Sequence, residues 1–138
     1  MKNFVDTNVF LRLVEKENEQ FYKECYNFFK EVEERNVKIL TSPLVLAEIV
    51  WVLKSSYSRS KEYILKVLKT VRENGQLKIS DDFNPSRAIE IFSEEDVKFV
   101  DTLIASFEGA KEGEVKIVSY DEDFDNIEVD RVEPGEVF

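Results

Sequence analysis

Three acidic residues of this chain stand where a charge has no ordinary place. Asp6 follows Asn3-Phe4-Val5, Glu48 is the only charge between Leu44 and Leu53, and Asp101 lies inside Phe99-Val100-Asp101-Thr102-Leu103-Ile104-Ala105. Burying an unpaired carboxylate costs several kcal/mol or forces it to take up a proton. A chain that places acids in such company usually compensates them with a cation. A fourth candidate, Asp121, heads the acidic run Asp121-Glu122-Asp123-Phe124-Asp125, just after the apolar stretch Val115–Val118.

Each acid also has a plainer explanation. Asp6 and Asp101 could each cap a helix. Glu48 sits in mid-helix and caps nothing, so its alternative is a buried pair with a distant Lys or Arg. Asp125 and Glu122 read as a solvated acidic turn. A calcium loop of the EF-hand type is excluded, because its sixth and twelfth positions would be Asn126 and Val132 rather than Gly and Glu.

The chain has no histidine and one cysteine, Cys25. That removes Ser-His-Asp and Cys-His nucleophilic sites, His-ligated zinc and any internal disulfide. What remains for hydrolysis is carboxylates, hydroxyls, lysine and metal. All-oxygen ligands favour a hard cation, Mg²⁺ or Mn²⁺. Such an ion can orient a phosphodiester, acidify a bound water and stabilise a leaving oxygen. Three or four acids converging from separate segments is what that chemistry requires.

The elements that must position these acids can be read from periodicity and punctuation. Lys2–Val5 reads as a buried strand, with a helix over Thr7–Val14. Asn18 caps a helix running to about Arg35, with Phe21, Cys25, Phe28, Phe29 and Val32 at helical spacing. Val37–Thr41 is a strand. Ser42-Pro43 opens a helix to about Ser56, and Ser55–Ser60 is a joint. The next helix carries Ile64, Leu65, Leu68 and Val71 inward and stops at Gly75. Leu77–Ser80 is a strand, Asn84-Pro85 opens a helix over Ser86–Phe92, and another helix runs from near Val100 to Lys111, released at Gly113. Glu114–Ser119 and Glu128–Val132 are strands. Alternating strands and helices predict an α/β fold, a sandwich with a mostly parallel central sheet, and a site at the carboxyl ends of its strands.

At 138 residues the chain fits a single domain, residues 1–138. Nothing at its N-terminus reads as a signal peptide, and no apolar run approaches the ~18 residues of a membrane span. The expected location is cytoplasmic, with no membrane partner. The net charge is -10, which disfavours a phosphate-rich partner. Residues 54–78 nevertheless carry seven basic residues against two acidic ones, a locally basic footprint.

Phe4-Val5-Asp6-Thr7-Asn8-Val9, Thr41-Ser42-Pro43-Leu44-Val45-Leu46-Ala47-Glu48, Phe99-Val100-Asp101-Thr102-Leu103-Ile104-Ala105 and Val118-Ser119-Tyr120-Asp121-Glu122-Asp123-Phe124 together resemble, in order and spacing, the four motifs of PIN-domain nucleases. Ser119 stands where Thr is usual and Thr102 where Ala is frequent. The resemblance covers essentially the whole chain. It implies a three-layer α/β/α sandwich and Mg²⁺- or Mn²⁺-dependent hydrolysis of RNA phosphodiesters. Asp6, Glu48, Asp101 and Asp121 would be the catalytic, metal-holding acids, with Asp123 as a fifth. Asn8 and Ser119 would hold carboxylates or water from behind. In size the chain is similar to the VapC toxins of toxin–antitoxin pairs, which implies an antitoxin protein and a homodimer. Phe21, Phe28, Phe29, Trp51 and Tyr57 are candidates for an interface, although each is more often core. A structure-specific DNA nuclease of the same fold and a PIN-like scaffold that binds RNA or protein without turnover are the alternatives. Haloacid-dehalogenase phosphatases need a second Asp where this chain has Asn8, and receiver domains lack an acid like Glu48 and keep a late Lys after a strand.

Overall fold

The computed structural model describes residues 1–138. Five strands form one sheet: β1 (Lys2–Val5), β2 (Ile39–Thr41), β3 (Leu77–Ile79), β4 (Val115–Val118) and β5 (Arg131–Val132). Their spatial order is β3-β2-β1-β4-β5, and every neighbouring pair is parallel. Six α-helices connect them: α1 (Thr7–Val14), α2 (Glu19–Glu34), α3 (Pro43–Ser55), α4 (Lys61–Glu73), α5 (Pro85–Glu94) and α6 (Phe99–Ala105).

Right-handed crossovers dictate the layers. The chain steps outward from β1 to β2 to β3, which puts α1 to α4 on one face. It then returns from β3 to β4, which puts α5 and α6 on the other. The expected α/β/α sandwich follows. Phe4, Val5, Ile39, Ile117 and Val118 are fully buried in the sheet, as strands covered on both faces must be. Phe4 packs against Phe83 and Phe107, which lead into α5 and out of α6.

Helix starts follow their capping residues closely. Asn18, Ser42, Ser60 and Asn84 each accept a hydrogen bond from the backbone N–H three residues on. Three helix ends differ from the sequence reading, and α5 runs on past Phe92 to Glu94. α4 ends on Asn74, whose side chain accepts from Gln76 N, and Gly75 keeps an ordinary φ. α6 stops at Ala105, well before Lys111. There the Ser106 hydroxyl donates to Leu103 O, Phe107 turns into the core, and Gly109 adopts a φ of 89°. Local hydrogen bonding and one buried ring outweigh helix propensity. β2 and β5 are also shorter than the strands expected over 37–41 and 128–132, beginning at Ile39 and Arg131.

The switch in winding direction falls between β1 and β4. Register pairs Val5 with Val118, so Asp6 and Ser119 emerge side by side at the carboxyl edge. That crevice is where a parallel sheet forms its ligand sites.

Candidate functional site

Asp6 is 4% exposed and does two jobs at once. Its Oδ1 accepts from Thr7 N at 2.8 Å, capping α1. Its Oδ2 accepts from Ser119 Oγ at 2.7 Å and from Asn8 Nδ2 at 3.3 Å. The capping explanation is therefore correct for this residue, and it does not exclude the other. Asn8 also donates to Ser119 Oγ at 2.9 Å and accepts from Tyr120 N at 3.1 Å. Ser119, fully buried, accepts from Asp121 N at 3.0 Å. A closed polar network thus ties the ends of β1 and β4 together and orients Asp6 and Asp121.

Asp121 begins a 3-10 turn, Glu122–Asn126, and its Oδ1 accepts from Asp123 N at 3.0 Å. Phe124, fully buried, anchors that turn in the core. Arg131, with a side chain 13% exposed, fixes it from the far side. Its guanidinium donates to Ser119 O at 3.0 Å, to both carboxylate oxygens of Asp125 and to Glu133. Asp125 is exposed, as expected from sequence, and is also an ion-pair partner.

Asp101 does not cap α6. The capping position is Lys98, and Asp101 lies in the helix's first turn, 3% exposed. Carboxylate oxygens of Asp101, Asp121 and Asp123 all lie within 4.8 Å of one another. Asp101 Oδ2 is buried without a hydrogen-bond partner, and Lys98 Nζ stands 3.9 Å away. The same ammonium is 3.2 Å from Asp121 Oδ2.

Glu48 lies outside that three-acid group and beside Thr7. Its Oε1 accepts from Thr7 Oγ1 at 2.8 Å. It is half-buried rather than enclosed, because α3 is not covered all round: Trp51, one turn on, is 71% exposed. No cation pairs with Glu48, so the distant-partner explanation fails.

Crowding of these acids is written in their proton affinities. Burial pushes the Asp6 carboxyl up to about 6, with Glu48 and Asp121 adding to it, although Ser119 and Thr7 pull the other way. Burial and then the neighbouring Asp121 drive Asp101 well above the ordinary carboxylate range. Asp121 is desolvated too, but the Asp123 N–H, Asp101 and Lys98 together hold it below its usual value. The pair divides its protons as two close carboxylates must, one neutral and one ionised.

These features fit a divalent cation. The donors are all oxygen, one buried carboxylate oxygen lacks a partner, and like charges crowd at short range. Two participants escaped the sequence reading. Thr7 read as the first residue of a helix, with no sign of its bond to Glu48. Lys98 could have been found as a basic residue three before Asp101, the spacing of a helical ion pair.

The PIN domain family model matches residues 4–130. A VapC ribonuclease of Aquifex aeolicus (strain VF5) is 26% identical over 132 residues, spanning 96% of each chain. Among solved structures, VapBC2 from Rickettsia felis bound to a DNA fragment from its promoter superposes with a TM-score of 0.66. It is 22% identical, covering 96% of this chain and 98% of that one. Mycobacterium tuberculosis VapC20, described as a Sarcin-Ricin loop cleaving toxin, gives 0.65 at 17% identity, covering 93% and 98%.

Proposed function

The chain belongs to the PIN-domain family, and from that premise we propose that it is a Mg²⁺- or Mn²⁺-dependent endoribonuclease, the toxin of a toxin–antitoxin pair. It would act as a single domain, residues 1–138, in the cytoplasm where RNA is available. No helix is long and apolar enough to cross a membrane. The observation that carries the reading is the convergence of Asp101, Asp121 and Asp123 within 4.8 Å, beside an Asp6 held by Ser119 and Asn8.

In this reading Asp101, Asp121 and Asp123 would hold the cation, with Asp6 and Glu48 as further carboxylates of the site. A bound cation supplies Lewis-acid polarisation of the phosphodiester and acidification of water. The chain's own contribution is placement. Ser119 and Asn8 fix Asp6, Thr7 fixes Glu48, and the 3-10 turn presents Asp121 and Asp123. Asp101, whose proton affinity burial and Asp121 raise, would have to release its proton to hold a cation, so binding would tighten as pH rises.

Two partners follow. An antitoxin segment would seat in the apolar groove of about 320 Å³ between α1, α2 and α4, lined by Phe10, Leu13, Phe29, Tyr63 and Val67. A second copy would cover Ile89, Phe92 and Phe99, which are 60%, 50% and 40% exposed, the two rings meeting edge to face. Of the interface candidates read from sequence, Phe28 is core and Trp51 is exposed.

The deciding experiment incubates labelled single-stranded RNA and DNA with Mn²⁺, with Mg²⁺ and with chelator, comparing wild type with Asp101→Asn. Metal-dependent RNA cutting that disappears in the variant supports the reading. Cutting of DNA alone moves the chain to a structure-specific DNA nuclease. Metal binding without cutting of either leaves a scaffold or a highly selective toxin, and no metal binding overturns the proposal.

A further inference from the structure

Two of the five acids of the site share one basic neighbour. Lys98 is the only Lys or Arg within ion-pairing distance of any of Asp6, Glu48, Asp101, Asp121 and Asp123. It bridges acids from two separate elements, at 3.9 Å from Asp101 on α6 and 3.2 Å from Asp121 after β4. Its backbone occupies the capping position of α6, so the root of the side chain is fixed. The side chain itself is 69% exposed and bears no other bond. An ammonium on a flexible four-carbon stem, rooted in the site but free on its outer side, can leave without disturbing the fold.

An ordinary exposed ion pair would contribute little and influence nothing else. Lys98 differs in what it faces. One of its partners, Asp101 Oδ2, is buried and otherwise unpartnered. A divalent cation attracted by Asp101 and Asp121 must come close to the same two oxygens, where a second positive charge is repelled.

Resting on the metal-dependent reading above, we propose that Lys98 is the built-in counter-cation of this site. It balances the single negative charge that Asp101 and Asp121 share in the metal-free chain and is displaced outward when a divalent cation binds. Metal binding is then an exchange of cations. Lys98 lowers intrinsic metal affinity, keeps the acids from repelling one another while the site is empty, and once displaced stands at the rim as a positive charge for an incoming phosphate. It is a positioning residue for the acids.

The test is Mn²⁺ titration of the full chain, reading free ion by electron paramagnetic resonance, for wild type, Lys98→Gln, Lys98→Arg and the remote surface control Lys69→Gln. Lys98→Gln is expected to bind Mn²⁺ about tenfold tighter, the scale set by removing a unit charge from beside a doubly charged ion in largely aqueous surroundings. Lys98→Arg should stay within about threefold of wild type, and Lys69→Gln should be unchanged. Without metal, Lys98→Gln should melt lower than wild type, and saturating Mn²⁺ should close that gap. A residue that merely supports the fold would weaken metal binding when lost, so the sign is diagnostic. If Lys98→Gln binds Mn²⁺ no tighter than wild type, the inference is overturned while the metal site stands. If wild type binds no Mn²⁺, the metal reading falls and this inference with it.

Discussion

Replacing Asp6 with Asn separates the two jobs that residue performs, and the structure fixes the sign. The Asp6 carboxyl has its proton affinity raised from 3.8 to about 6 by burial and acidic neighbours. A group whose folded-state pKa is raised stabilises the fold at low pH and loses that contribution as pH climbs through the folded value. Two units correspond to about 3 kcal/mol of cost to the metal-free fold above pH 7. Asn8 Nδ2 would lose an acceptor in the variant and Ser119 would have to reorient, which returns about 1 kcal/mol. Asp6→Asn should therefore be more stable than wild type by roughly 2 kcal/mol at pH 8 in chelator, a Tm rise of about 5 °C. At pH 4 wild-type Asp6 is already protonated, so the gain should vanish or turn into a small loss. The assay is thermal unfolding followed by circular dichroism at both pH values, then with Mn²⁺, which should raise wild-type Tm and leave the variant nearly unmoved. A variant that melts several degrees lower at both pH values would show that the cap on α1 dominates and would refute the reasoning.

Glu48→Gln keeps the oxygen that Thr7 donates to while removing the charge. Cleavage should fall by roughly 100-fold with Tm within about 1 °C, read by fluorogenic RNA turnover and calorimetry. Ser119→Ala strips partners from Asp6, Asn8 and the Asp121 N–H at once. We expect about 2 kcal/mol of destabilisation by urea unfolding, and in the metal-free protein the Asp6 carboxyl should titrate still higher by NMR. Gly109→Ala puts a Cβ 3.1 Å from Val115 Cγ2 at a φ of 89°, beside the start of β4 and away from the site. It should cost about 1–2 kcal/mol in chemical unfolding while activity per folded molecule is unchanged; a selective loss of activity would contradict the placement of the site at the strands' carboxyl ends.

The fold was legible because its signals were local and redundant. Strand, cap and helix recur in order, and Asn18, Ser42 and Asn84 bond as their types and positions predict. The misread parts depended on tertiary context. α6 ends early because Ser106 folds back on Leu103 and Phe107 finds a seat against Phe4, neither of which a helical pattern reveals. The acids were conspicuous by their apolar company, yet what holds them was not. Thr7 and Glu48 are 41 residues apart, and Arg131 reaches Asp125 and Ser119 only through the register of β5 on β4. Asp101 looked as much a cap as a ligand until the helix start at Phe99 placed it past the capping position.

Arg131 gives the short edge strand β5 a reach beyond its two residues. One guanidinium grips the carbonyl of Ser119 and both oxygens of Asp125, on either side of the turn that presents Asp121 and Asp123. The β5 stretch is therefore a latch on the acidic turn as well as the rim of the sheet. A fusion, a protease nick or a chaperone that peeled β5 away would silence the acids while leaving most of the core folded.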